Sequence, residues 1–153
     1  MGTTFRIYLP ATEEKKKTER GTGIAETVID FRGGGTILIA EDEDTVRNLL
    51  KDTLETYGYK TIIAVDGEDA IAKYNERRDS IDMVILDVVM PKKNGKEVYD
   101  YIRTIEPDIK AIFISGYTED ILTSKGVYEE GLMFLSKPLE IQTLMPKIKK
   151  ILR

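Results

Sequence analysis

The sequence predicts an α/β fold, a doubly wound parallel sheet of five strands with helices on both faces. Two features carry this. From Thr36 to Arg153, short apolar runs alternate five times with segments whose apolar residues recur at helical spacing. The third run, Met83-Val84-Ile85-Leu86, is apolar throughout, as expected of a strand covered on both faces. Right-handed crossovers between parallel strands then distribute the helices to the two sides.

Each element follows in order. The first strand, residues 36–40, leads into a helix from about Asp44 with Val46, Leu49, Leu50, Leu54 and Tyr57 on one face. Asp44 is the expected N-cap and Gly58 the stop. A second strand, residues 60–65, precedes a helix carrying Ala70, Ile71 and Tyr74. After the third strand, Gly95 opens a helix with Val98, Tyr101, Ile102 and Ile105, and Pro107 lies just past its end. The fourth strand covers residues 110–114 and precedes a short helix within residues 119–127. The fifth strand covers residues 132–135, and the last helix presents Ile141, Leu144, Met145, Ile148 and Ile151.

Residues 1–34 are of a different character. Phe5, Ile7 and Leu9 alternate with Arg6 and Tyr8, the pattern of a short half-buried strand stopped by Pro10. Residues 11–34 are charged, then rich in glycine, and read as a linker whose root-mean-square reach is roughly 25–30 Å if flexible. The expected organisation is thus a strand at 1–10, a linker at 11–34 and one folded domain at 35–153.

Composition narrows the chemistry. A net charge of −4 offers no electrostatic footprint for nucleic acid or an anionic membrane, so neither is expected as a partner. The chain has no cysteine, which excludes disulfides and thiolate metal sites and fits a cytoplasmic setting. It also has no histidine, so imidazole is excluded as base, metal ligand or phosphoryl donor.

What remains is a set of polar groups at the carboxyl ends of the predicted strands. They are Glu41 and Asp42 after the first, Asp87 after the third, Ser115 after the fourth and Lys137 after the fifth. In a parallel sheet these ends share one rim, where the ligand crevice forms. Carboxylates crowded there repel by about 1 kcal/mol per pair in water and roughly 4 kcal/mol at a protein surface, a cost that a divalent cation removes. Magnesium suits such a site, because one or two carboxylates and several waters satisfy it. An aspartate carboxylate can accept a phosphoryl group as an acyl phosphate, given positioning and charge neutralisation. Taken singly, each group has a plain alternative. Residues 41–44 would serve as a solvated acidic helix start, Lys137 as a loop lysine and Ser115 as part of a Ser-Gly turn. Four matched strand ends together favour the phosphoryl site.

Residues 35–153 closely resemble the receiver domain of two-component response regulators. The resemblance rests on Ile37-Leu38-Ile39-Ala40-Glu41-Asp42-Glu43, Leu86-Asp87-Val88-Val89-Met90-Pro91 with Gly95, Phe113-Ile114-Ser115-Gly116-Tyr117, and Phe134-Leu135-Ser136-Lys137-Pro138-Leu139. It implies the flavodoxin-like (βα)5 arrangement with strand order 2-1-3-4-5. It implies that Asp87 is the phosphoacceptor and that Mg2+ is held by Asp42, by Glu41 through water, by Asp87 and by the main-chain carbonyl of Val89. Lys137 and Ser115 would grip the phosphoryl group, and Phe134 would turn inward as Ser115 moves toward it. The moving face would be the short fourth helix, the fifth strand and the last helix. Three residues depart from the commoner pattern: Glu41 stands for aspartate, Ser115 for threonine and Phe134 for tyrosine. Phe134 also reads as an ordinary core aromatic.

Gly2-Thr3-Thr4-Phe5-Arg6-Ile7-Tyr8-Leu9-Pro10 resembles the last strand of the ATP-binding domain of sensor histidine kinases. That order of parts implies the receiver of a hybrid histidine kinase, with any membrane anchor belonging to the parent kinase. The implied partners are a histidine kinase or histidine phosphotransfer domain. Residues 1–10 and the last helix–strand–helix face are candidates for a homodimer contact. No stand-alone turnover enzyme is expected, although such a domain catalyses its own phosphorylation and dephosphorylation. A Mg2+-dependent phosphatase would need a second acid two residues after Asp87, where Val89 stands. A vestigial interaction module is disfavoured by the complete set of acids, hydroxyl and lysine. Val89 and Tyr117 offer no carboxylate or amide to orient water, so a long-lived phospho-aspartate is expected.

Overall fold

The computed structural model describes residues 31–117 and 131–153. The strand expected at residues 4–9, most of the expected linker and the helix expected within residues 119–127 lie outside them. Five strands form one parallel sheet: β1 (Thr36–Ala40), β2 (Lys60–Ala64), β3 (Met83–Asp87), β4 (Lys110–Ser115) and β5 (Met133–Ser136), in the order β2-β1-β3-β4-β5. Between them run α1 (Asp44–Thr56), α2 (Gly67–Arg77) with a 3-10 turn at Arg78–Ser80, and α3 (Gly95–Ile105); α4 (Ile141–Ile151) follows β5. The expected fold class and strand order are both borne out.

The sheet divides the core into two layers. Ile37, Ile39, Ile85, Ile112 and Ile114 point to one side, where Leu50 and Leu54 of α1 and Leu144, Met145 and Ile148 of α4 cover them. Leu38, Val84, Leu86 and Phe113 point to the other, beneath Ala70 and Tyr74 of α2 and Val98 and Ile102 of α3. The strand period of two separates these sets cleanly, and β3 is buried at every residue because both layers meet on it.

Helix faces differ from the sequence pattern in particular places. Leu49 is 52% exposed, because it lies about 100° round the helix from Leu50 and falls outside the stripe that the sheet covers. On α3 the covered stripe is centred between Val98 and Tyr99, so Tyr99 is buried while Tyr101 and Ile105 are exposed. Tyr99 meets Phe113 edge-on at 5.3 Å. Ile141 is likewise exposed, at the first position of α4. The N-cap of α1 is Glu43 rather than Asp44, which is already helical and pairs with Arg47 one turn on. Gly58 ends that helix as expected, at φ +93°.

Among the described residues, Phe31–Gly35 runs along the domain. Phe31 packs edge-on against Tyr57, the Gly33 amide donates to the Tyr57 carbonyl at 3.0 Å, and Lys60 donates to the Gly35 carbonyl at 2.8 Å. No helix of the described residues is long and apolar enough to cross a membrane.

Candidate functional site

Every strand runs the same way, so the carboxyl ends of β1, β3, β4 and β5 gather on one rim. Glu41 follows β1 and its side chain is essentially buried; Asp42, next to it, is exposed. Asp87 ends β3 and is buried, beside Ile114 in the register of β4. Oxygen atoms of Glu41, Asp42 and Asp87 all lie within 4.8 Å of one another.

Lys137 reaches into this cluster from the end of β5. Its Nζ donates to Asp87 Oδ2 at 2.7 Å and to Glu41 Oε1 at 3.1 Å, with Glu41 Oε2 at 2.9 Å. The main chain fixes its root, because the Lys137 amide donates to the Ser115 carbonyl at 2.8 Å. Burial alone would lower the ammonium pKa, but the bonds to Asp87 and Glu41 outweigh it and hold Lys137 above its ordinary 10.5. Burial acts in the opposite sense on the Glu41 carboxyl, pushing it above 4.5 despite the hydrogen bond from Lys137, and the Asp87 charge adds to the rise.

The carboxylates are themselves oriented by main-chain amides. Val89 N–H donates to Asp87 Oδ1 at 3.0 Å and Glu43 N–H to Glu41 Oε1 at 3.1 Å. Ser115, also buried, accepts from the Tyr117 amide through Oγ at 2.9 Å, which settles the hydroxyl at the end of β4. Phe134 is half-buried on β5 and stacks on Phe113 at 5.1 Å. Gly95 has to be small, because a Cβ there would come within 2.3 Å of the Asp87 carbonyl oxygen.

The donor set fits a hard divalent cation. Three carboxylates face one ammonium, which leaves an excess of negative charge. Glu41 Oε2 is buried and receives no directed hydrogen bond, although Lys137 lies beside it. Oxygen-only ligands of this kind match magnesium, whose bound water could also satisfy that oxygen.

Two supports around the site were missed in the sequence. Arg47 is a buried cation on α1 whose Nη1 donates to the main-chain carbonyls of Glu41 at 2.8 Å and Asp42 at 3.1 Å, tying the acidic turn to the helix behind it. The helical stripe of apolar residues on either side was the available signal, since Arg47 lies within it. The second is the pair of Asp66 and Lys92, which joins the loops after β2 and β3 at 2.7 Å. Lys92, chiefly by hydrogen bonding, and then the Asp69 amide hold the Asp66 carboxyl below its ordinary 3.8.

Known proteins share this fold. A family profile described as the response regulator receiver domain matches residues 37–149. The sensor kinase CckA of Brucella abortus (strain 2308) is 35% identical over 156 residues, a stretch covering 99% of this chain and 16% of the kinase. The chain therefore spans only a small part of that relative's length. Among solved structures, the receiver domain of the hybrid histidine kinase CckA superposes with a TM-score of 0.66 at 36% identity, covering 78% of this chain and 100% of that one. The response regulator TrrA of Thermotoga maritima, solved in complex with Mg2+ and BeF, gives 0.65 at 33% identity, covering 76% of this chain and 98% of that one. With three-quarters of its length matched and the same five-stranded topology, the chain belongs to the response regulator receiver domain family.

Proposed function

We propose that this domain accepts a phosphoryl group on Asp87 from the phosphohistidine of a histidine kinase or histidine phosphotransfer domain. The observation that carries the reading is Asp87 itself: a buried carboxylate at a strand end, bonded to Lys137 at 2.7 Å and grouped with Glu41 and Asp42. An Asp87 oxygen attacks phosphorus as the donor's N–P bond breaks, its electron pair returning to the imidazole nitrogen. The product is an acyl phosphate on Asp87. Lys137 supplies a positive charge for the incoming phosphoryl oxygens, and the Val89 amide keeps the attacking carboxylate oriented. Ser115 Oγ contributes a hydroxyl at the neighbouring strand end. Glu41, Asp42, Asp87 and the Val89 carbonyl would hold Mg2+, which when bound neutralises charge on the carboxylates and the phosphoryl group.

The output is a change of conformation. Ser115 shifting toward the phosphoryl group would free space for Phe134, whose ring packs on Phe113, and so alter the face formed by β5 and α4. The parent protein is read as a hybrid histidine kinase, with residues 1–10 as the end of its ATP-binding domain and 11–34 as a tether. Similarity to the sensor kinase CckA over 99% of the chain supports this, because it includes the residues before the receiver. A cytoplasmic setting follows from that reading.

Incubation with acetyl phosphate and Mg2+ tests the proposal. One phosphoryl group per chain, absent in Asp87→Asn, is the expected result; steady turnover of a phosphorylated substrate, or no uptake, would count against it.

A further inference from the structure

The loop between β3 and α3 is fastened by a pair that lies apart from the acidic cluster. Lys92 adopts φ +67°, the left-handed region that a lysine seldom takes. Its ammonium lies 2.7 Å from Asp66 Oδ2 and 3.9 Å from Glu68. Asp66 is buried and itself held, because its Oδ1 accepts from the Asp69 amide at 2.8 Å as the N-cap of α2. One residue on, the Lys93 carbonyl oxygen presses so closely on Gly67 that a Cβ there would come within 2.2 Å of it. Consecutive residues of the loop thus rest on consecutive residues at the start of α2.

The same loop orients the carboxylate at the end of β3. The Val89 amide donates to Asp87 Oδ1 at 3.0 Å, and the Gly95 amide donates to the Val88 carbonyl at 3.1 Å. A loop that lifted from α2 would carry the Val89 amide with it and leave the carboxylate held by Lys137 alone, through its other oxygen.

We propose that Lys92, through its ion pair with Asp66, is a positioning residue for Asp87, seating the loop so that the Val89 amide fixes the attacking carboxylate. The inference rests on the phosphoacceptor reading of Asp87. The lysine side chain is 53% exposed, so the pair is worth at most about a fivefold factor in an equilibrium. Its effect should therefore be graded rather than all-or-none.

The test uses the full chain with Lys92→Met, Asp66→Asn, the double variant, Lys92→Arg and Lys92→Gly. Asparagine keeps a side-chain oxygen for the α2 cap while removing the charge. Two quantities are measured: the rate of phosphorylation by acetyl phosphate with Mg2+, and the hydrogen exchange of the Val89 amide without Mg2+ or phosphodonor. Each of the first two variants should slow phosphorylation and speed Val89 exchange by about twofold each, since in a seated–unseated equilibrium the two factors multiply to the roughly fivefold change. The double variant should add nothing further, and Lys92→Arg should restore both. Unchanged values in the single variants, or additive losses in the double, would overturn the proposal. Because glycine relieves the left-handed conformation, Lys92→Gly serves as a background in which Asp66→Asn should cause no further loss; a further loss there would also overturn the proposal. If the wild-type chain takes up no phosphoryl group, the phosphoacceptor reading fails, while Val89 exchange still decides whether the pair seats the loop.

Discussion

The Lys137 ammonium is bonded to the Asp87 carboxylate at 2.7 Å, so the cation that would greet a phosphoryl group also competes for the oxygens that would hold a metal. Lys137→Met should separate these roles. Loss of its charge is expected to tighten Mg2+ binding by about fivefold or more, since a like charge leaves the pocket. Phosphorylation should slow by about tenfold to a hundredfold, because charge stabilisation is lost at the phosphoryl oxygens. The metal-free variant should also lose about 2 kcal/mol of stability, because Glu41 stays buried without its partner. Calorimetric titration with Mg2+ checks the first point, and unchanged affinity there would contradict the competition.

Gly95 offers a steric test at the same strand end. Gly95→Ala sets a methyl group within 2.3 Å of the Asp87 carbonyl oxygen, so the strand end or the start of α3 must move. A loss of about 1–3 kcal/mol in urea unfolding is expected. Phosphorylation should fall by more than the loss of folded protein accounts for. Wild-type rates in the variant would show that the strand end tolerates the shift.

Far from the rim, Tyr74 links α2 to the end of α3 through a 2.7 Å bond to Glu106. Burial first, and the Glu106 bond second, push the hydroxyl above its ordinary pKa of 10.0. Between pH 10 and the folded-state value the folded chain keeps a proton that the unfolded chain loses. Stability from this group is therefore full below pH 10 and declines as the pH rises beyond it. Tyr74→Phe should cost about 1 kcal/mol at neutral pH and flatten the alkaline decline. Equilibrium unfolding at pH 8 and pH 11 provides the comparison; an equally steep decline in both proteins would place the alkaline sensitivity elsewhere.

Val89 and Tyr117, near Asp87 and Ser115 in the chain, are both exposed, and neither carries a carboxylate or amide to orient water at the proposed phosphoryl site. Label on Asp87 should survive for minutes or longer after removal of donor, whereas Val89→Glu should shorten its lifetime about tenfold or more by supplying a base. Loss of label from the wild type within seconds would contradict this account.

The rim was legible because each apolar run breaks at a polar group, and parallel topology gathers those breaks without any further information. Helix orientation was legible only in part. Leu49, Tyr101 and Ile105 satisfy the same spacing as their buried neighbours, and which edge of a stripe the sheet covers depends on how the helix is rolled onto it. Arg47 and Lys92 were hidden for different reasons. Arg47 stands out only as a cation within an apolar helical stripe, and its partners are main-chain carbonyls, which leave no trace in residue types. Lys92 works through a backbone conformation that its side chain does not favour and a partner in another loop.

The docking of Phe31 and Gly33 against Tyr57 brings the polypeptide into β1 from the end of the sheet remote from Asp87. A five-residue strand separates the two ends by about 17 Å. Transfer from a donor on the same polypeptide would therefore require the preceding residues to double back along the domain, whereas a donor on another molecule meets Asp87 head-on. On the reading of residues 11–34 as a tether with a reach of roughly 25–30 Å, its shortening should handicap the first route and spare the second.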